Sequence, residues 1–383
     1  MNATSPDDAL RDELRAWLAA HPPPALDVAT THEEADVLRG WQRTLHSGGW
    51  VGIHWPVEYG GRGASVTEVA AYNEELARAG APPLLGRGGV TLVGPTLMTH
   101  GTEDQRTRWM PRILAGDDVW CQLFSEPGAG SDLASLSTCA DKTGGVYRVN
   151  GQKVWSSYAT FADMAIALVR TDPGAPAHKG ISMLAIPMDA TGVDVRPLRQ
   201  ITGDSEFNEV FLDDVQVPVA NLIGPENEGW RVANTTLGNE RGGSFIWREQ
   251  VLAEVASEAL CAACMQAGVV DDAVVRQRLA RSWIDVEIFR LHNARTLARL
   301  ARGDEIGAES SLVKLFWAGM SQRLYETAVA VLGPAALLDG GRWARGLLST
   351  RANSIMGGTS EIQRNVIAER LLGLPREAKE RKQ

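Results

Sequence analysis

The sequence predicts an α+β multidomain chain: an N-terminal α-helical domain over residues 1–117, a central antiparallel β-barrel or sandwich over 118–220, and a C-terminal four-helix bundle over 221–383. Two changes of period carry this division. Helical spacing of apolar residues runs through 6–20, 66–79 and 103–114 and is lost after Gly116. It returns only after Gly229.

The first three segments are amphipathic and polar-flanked, as expected of helices that bury one face. From Val119 to about Val219 the chain instead shows short β-rich runs, VYRVNGQKVW, MAIALVRT, ISMLAIPM and NEVFLDDVQV, separated by turn residues. Asn150-Gly151 within the first run reads as a hairpin signal leading into a strand that carries Trp155. Beyond Gly229, long amphipathic segments recur over 230–264, 273–300, 308–332 and 360–372.

A chain of 383 residues can bury a sizeable core. No stretch approaches the ~20 apolar residues of a membrane span, and the start MNATSPDDALRDE lacks the basic and apolar regions of a signal peptide, so a cytoplasmic protein without membrane attachment is expected. The net charge of −9 and the lack of a Lys/Arg run argue against nucleic-acid binding. Four cysteines do not make a disulfide framework; Cys261 and Cys264 lie in an Ala-rich helical stretch without a second ligand pair, so they read as helix-packing residues and no metal is assigned.

The stretch richest in chemical signal is QLFSEPGAGSD (122–132), which places a carboxylate, a proline, small residues and a Ser-Asp pair in one turn. Glycines 128 and 130 are expected to take φ angles other residues avoid and to let the backbone approach a ligand, with hydrogen bonds from Ser131 and nearby N–H groups. VNGQKVWSS (149–157) follows closely. Along the chain also stand WPVEYGGRG (55–63), HGTEDQ (100–105), FNEVFLDDVQVP (207–218), EGW (228–230) and GTSEIQRN (358–365).

With these motifs the chain resembles, from end to end, the acyl-CoA dehydrogenase family. The resemblance implies an FAD between the β-domain and the C-terminal bundle, contacted by Gln122, Leu123, Phe124, Ser125, Gly130 and Ser131, with Trp155, Ser156 and Ser157 beside the ring system. Thr359, Ser360 and Glu361 would meet the cofactor near a helix start, where free N–H groups favour a pyrophosphate. Ser131, Arg241 and Gly358 are the implied substrate contacts.

The implied reaction removes the proton alpha to the thioester carbonyl of an acyl-CoA and delivers the beta hydride to flavin N5, giving the trans-2-enoyl-CoA and passing electrons to an electron-transfer flavoprotein. Most members carry the base just before the GTS motif, where this chain has Gly357. A branch resembling the isovaleryl-CoA and long-chain enzymes carries it on a helix in an L-x-x-E-R pattern, and LGNER (237–241) puts Glu240 there with Arg241 beside it. Glu240 is therefore the expected base, with a pKa raised by desolvation once substrate fills the pocket. The Gly357 N–H would polarise the carbonyl together with a ribityl hydroxyl. Gly242 and Gly243 leave room for a bulky or branched acyl group, or for close approach of a neighbouring helix.

The family's usual adenine-end motifs, an R-x-x-F-G-like segment and a Q-x-x-G-G-x-G loop, are not evident; Ala330, Pro334 and Ala336 stand at three of the loop positions. A homodimer or homotetramer, or a heterotetramer with a related chain that completes the site, is expected. A flavin oxidase or monooxygenase, and a non-catalytic subunit, are the alternative functions on this fold.

Overall fold

The computed structural model describes residues 6–241, 244–338 and 341–376. The chain divides into two compact units, Met1–Gly243 and Ser244–Gln383. The first contains helices α1 (Pro6–Ala20), α2 (His32–Ser47), α3 (Val66–Arg78), α4 (Gly94–His100) and α5 (Glu103–Ala115), then strands and a closing helix. Three of these helices open with reciprocal capping boxes, Thr31 with Glu34, Ser65 with Glu68, and Thr102 with Gln105, which satisfy N–H groups the first turn cannot.

Tryptophans build the helical core. Trp55, from the WPVEYGG motif, is buried and donates its indole N–H to the Val90 carbonyl at 3.0 Å. Gly94 packs so closely that a Cβ there would lie 2.0 Å from the Trp55 ring. Buried Gln42 donates to the Ile113 carbonyl at 2.8 Å and accepts from the Gly86 N–H at 3.0 Å, linking α2, α5 and the segment between α3 and α4.

The strands are β1 (Trp120–Leu123), β2 (Cys139–Thr143), β3 (Val146–Ser157), β4 (Met164–Arg170), β5 (Ile181–Pro187), β6 (Val193–Pro197), β7 (Phe207–Pro218) and β8 (Leu222–Ile223). They form one sheet in the order β6-β7-β3-β2-β4-β5-β8, with β1 also on β4. The expected antiparallel pattern holds for most neighbours. The exceptions are β1 and β2, both parallel to β4, because the chain returns to β4 only after the β2–β3 hairpin has crossed. β4 is buried on both faces: Ile166 and Leu168 join the helical core, and Ala165, Ala167 and Val169 join the core enclosed by the sheet.

The Asn150-Gly151 hairpin expectation is corrected. The turn is made by Gly144 and Gly145 between the paired Thr143 and Val146, whereas Asn150 and Gly151 lie mid-strand. There β7 carries an extra residue near Asp213 and Asp214, and the Asn150 Oδ1 accepts from the Asp214 N–H at 2.8 Å. Gly151, at φ +156°, is required because a Cβ would lie 2.4 Å from Thr138 Oγ1.

Helix α6 (Gly229–Arg241) closes the first unit. In the second unit α7 (Ser244–Gln266), α8 (Ala273–Leu300) and α9 (Ser310–Leu332) are followed by the shorter α10 (Ala335–Leu338), α11 (Arg342–Ser349) and α12 (Ser360–Val366). Its core gathers Leu260, Cys264, Phe289, Trp317, Leu324 and Ala336. Cys264 packs there as a free thiol, and among the described residues no group of metal-ligating side chains occurs. The helix read as continuous over 230–264 is recorded as α6 and α7, and Gly242 and Gly243 between them lie outside the described residues.

Candidate active site

Two segments of the first unit converge. β1 delivers Gln122 and buried Leu123, and buried Phe124 and half-buried Ser125 follow at its end. The chain then turns tightly: Glu126 and Ala129 exchange both backbone hydrogen bonds at 3.0 Å across Pro127 and Gly128. The strand of the GQKVW motif lies alongside, and the Val154 N–H donates to the Ser125 carbonyl at 2.9 Å.

Glycines 128 and 130 do not take the expected left-handed conformation. A Cβ added at either meets no described atom within 4 Å, so their small size leaves open space above the loop. Ser131 is exposed at its rim.

On β3 an extra residue between Lys153 and Ser156, relative to Val210 and Asn208 of β7, makes a bulge. Trp155 sits in it at φ +61°, a conformation costly for a bulky residue, 62% exposed and with its ring edge-on to Phe207 at 6.0 Å. Ser156 is buried, and its hydroxyl has no hydrogen-bond partner among the described residues, although its carbonyl accepts from Asn208 Nδ2 at 2.9 Å. Ser157 pairs with Phe207.

An exposed strained indole, an orphaned buried hydroxyl and a glycine loop open on one side fit a flat, polar-edged ligand such as a flavin.

Beneath this surface lies a pair that sequence reasoning did not assign. Lys153 is wholly buried and donates to Phe124 O at 3.1 Å, Glu126 Oε1 at 2.8 Å and Leu168 O at 2.7 Å. Burial alone would raise the Glu126 carboxyl, but the Lys153 charge and hydrogen bond, with donors from Thr138 and Ser137, outweigh it and bring it down to about 2. Burial brings Lys153 down to about 8 against the pull of Glu126. The available signal was a lysine at the alternate positions shared with Tyr147 and Val149, which a period-2 strand buries on one face.

Helix α6 brings Glu240 and Arg241 to its last turn; their side chains lie outside the described set. The helix is fixed one turn earlier, where Thr236 and Thr96 of α4 share a buried hydroxyl contact at 2.8 Å and His100 Nε2 meets Thr235 Oγ1 at 2.8 Å.

In the second unit Gly357 and Gly358 lie at φ +62° and +92°, and a Cβ on Gly358 would lie 2.6 Å from Gln363 Nε2. Gln363 Nε2 donates to the Gly357 carbonyl at 3.0 Å, and Lys314 Nζ donates to Gly358 O at 2.7 Å and Asn353 O at 2.9 Å. Thr359 caps α12 by accepting from the Ile362 N–H. With Ser360, Glu361, Arg323, Ser354 and Arg364 it lines a cavity of about 560 Å³ within this unit, the size of a small-molecule site. Ala336, at a position where the resemblance implies a glycine, is packed into the core.

Comparison with known proteins agrees with these motifs. The chain matches three domain families: "Acyl-CoA dehydrogenase, N-terminal domain" over residues 4–117, "middle domain" over 121–215 and "C-terminal domain" over 227–372. It is 40% identical over 383 residues to the acyl-CoA dehydrogenase IpdE1 of Mycobacterium tuberculosis, covering 97% of this chain and 99% of that protein. Among solved structures, the ChsE4–ChsE5 complex from Mycobacterium tuberculosis has a chain superposing with a TM-score of 0.85 at 32% identity, covering 98% and 100% of the two chains. The Tcur3481–Tcur3483 steroid ACAD superposes with a TM-score of 0.85 at 31% identity, covering 98% and 99%. Full-length similarity and three matched domains in order place this chain in the acyl-CoA dehydrogenase family, FAD-dependent oxidoreductases that act on acyl-CoA thioesters.

Proposed function

We propose that the chain catalyses alpha,beta-dehydrogenation of an acyl-CoA thioester with Glu240 as the base. The observation that carries this is the last turn of α6: Glu240 stands there on a helix anchored through Thr235 and Thr236, while the loop before Thr359 offers only Gly357 and Gly358. The three-part organisation 1–117, 118–220 and 221–383 is proposed with it, supported by the matched ranges.

Gln122, Leu123, Phe124, Ser125, Gly130 and Ser131 would hold the flavin with Trp155, Ser156 and Ser157; Thr359, Ser360 and Glu361 are further proposed cofactor contacts. The bound flavin supplies the two-electron acceptor. The Gly357 N–H would donate to the thioester carbonyl, acidifying the alpha carbon as charge develops on oxygen. Glu240 would take the alpha proton, and Arg241, Ser131 and Gly358 would line the substrate side.

Glu240→Gln removes the proposed base while keeping the size of the side chain. It is expected to slow anaerobic bleaching by acyl-CoA by at least about 10²–10⁴-fold with flavin still bound. Turnover at the wild-type rate would refute the assignment.

A bulky thioester, steroid-like in the sense of the Tcur3481–Tcur3483 relative, is the proposed substrate class, with an electron-transfer flavoprotein as acceptor. For assembly we favour a related partner chain. The ChsE4–ChsE5 complex is a precedent, and Trp283 and Leu291, two turns apart on α8, are each 59% exposed.

A further inference from the structure

Lys153 and Glu126 form the most deeply buried charge pair described, with side chains 0% and 5% exposed. Every hydrogen-bonding group of the pair is used. The three ammonium donors reach Phe124 O, Glu126 Oε1 and Leu168 O. Glu126 also accepts from the Thr138 N–H at 2.9 Å, the Ser137 N–H at 2.7 Å and the Ser137 hydroxyl at 2.8 Å. With the Val154-to-Ser125 backbone bond, residues 124, 125 and 126 are all tied to 153 and 154, the positions next to the Trp155 bulge.

Such a pair is a poor source of stability, because stripping water from two charges offsets most of their attraction and an apolar pair of similar volume often does as well or better. What it does provide is geometry: three donors and two carboxylate oxygens admit one arrangement of the loop against the strand. We propose that Glu126 and Lys153 are positioning residues for the flavin, clamping the loop of residues 122–131 to β3 so that Ser125 and Ser131 on one side and Trp155 and Ser156 on the other present a fixed cradle. This rests on the flavin reading above and assigns to these two residues a role apart from contact with the cofactor.

The test uses the full chain. Glu126→Leu combined with Lys153→Met removes both charges but leaves the Ser137 and Thr138 N–H groups and the Phe124 and Leu168 carbonyls without these partners, so the thermal midpoint is expected to fall moderately while the FAD dissociation constant rises about tenfold or more. Backbone amides of residues 124–136 should also exchange with deuterium faster in the flavin-free chain. Wild-type FAD affinity in the double variant would overturn the proposal, and so would loss of stability and flavin in parallel with unchanged loop protection. If the double variant does not fold, Ser137→Ala removes a single donor and should weaken FAD severalfold; an unchanged affinity would overturn the clamp. Should the wild-type chain take up no FAD at all, the flavin reading of the isolated chain fails, and the exchange measurement alone decides the clamp: faster exchange supports it and unchanged exchange overturns it.

Discussion

Glu126 shows how one residue can set a pH limit. Its carboxyl is held down to about 2 in the folded chain against an ordinary value of 4.5, so the folded state keeps it charged where the unfolded state has begun to protonate. The stabilisation is fully present above about pH 4.5 and is lost as pH falls from there toward 2. Glu126→Gln should therefore be less stable at pH 7, by on the order of 3–5 kcal/mol for a lysine left buried without its counter-charge, and should show a flatter acid limb in thermal melts. Acid limbs of equal slope in the two proteins would contradict this. The pair escaped sequence reading for a physical reason: Glu and Lys are nearly always solvated, and 27 residues separate these two, so nothing local marks them as partners.

At the level of elements, legibility tracked length and alternation. β3, β4, β5 and β7 stand where the β-rich runs predict them, because 7–12 residues give the period-2 pattern room to show. β1, β2, β6 and β8 have only 2–5 residues, and sheet neighbours rather than local pattern define them. The Asn-Gly pair misled because its turn propensity was overridden by the Gly144-Gly145 turn and by the close approach of Thr138. Close packing also makes a sharp prediction: Gly94→Ala drives a methyl into the Trp55 ring and should cost about 1–3 kcal/mol in urea unfolding. A change below half a kilocalorie would mean that the Trp55 contact with α4 is loose.

On the scale of the whole molecule, the motif order was legible from end to end, and the family follows from it. Substrate size was not, since it depends on side chains that line a pocket floor rather than on any short pattern, and Gly242 and Gly243 lie outside the described residues. Assembly was legible only as departures: Ala336 fills the core of its unit where the resemblance implies an open glycine loop, and α8 leaves Trp283 and Leu291 uncovered. Among the described residues no helix is long and apolar enough to cross a membrane.

The most direct test is the visible spectrum of the chain, purified alone and with a related partner chain, before and after anaerobic addition of acyl-CoA thioesters including a steroid one. A yellow protein that bleaches with thioester, and whose Glu240→Gln variant stays yellow, is the predicted result. A flavin-loaded wild type that no thioester bleaches would contradict the account.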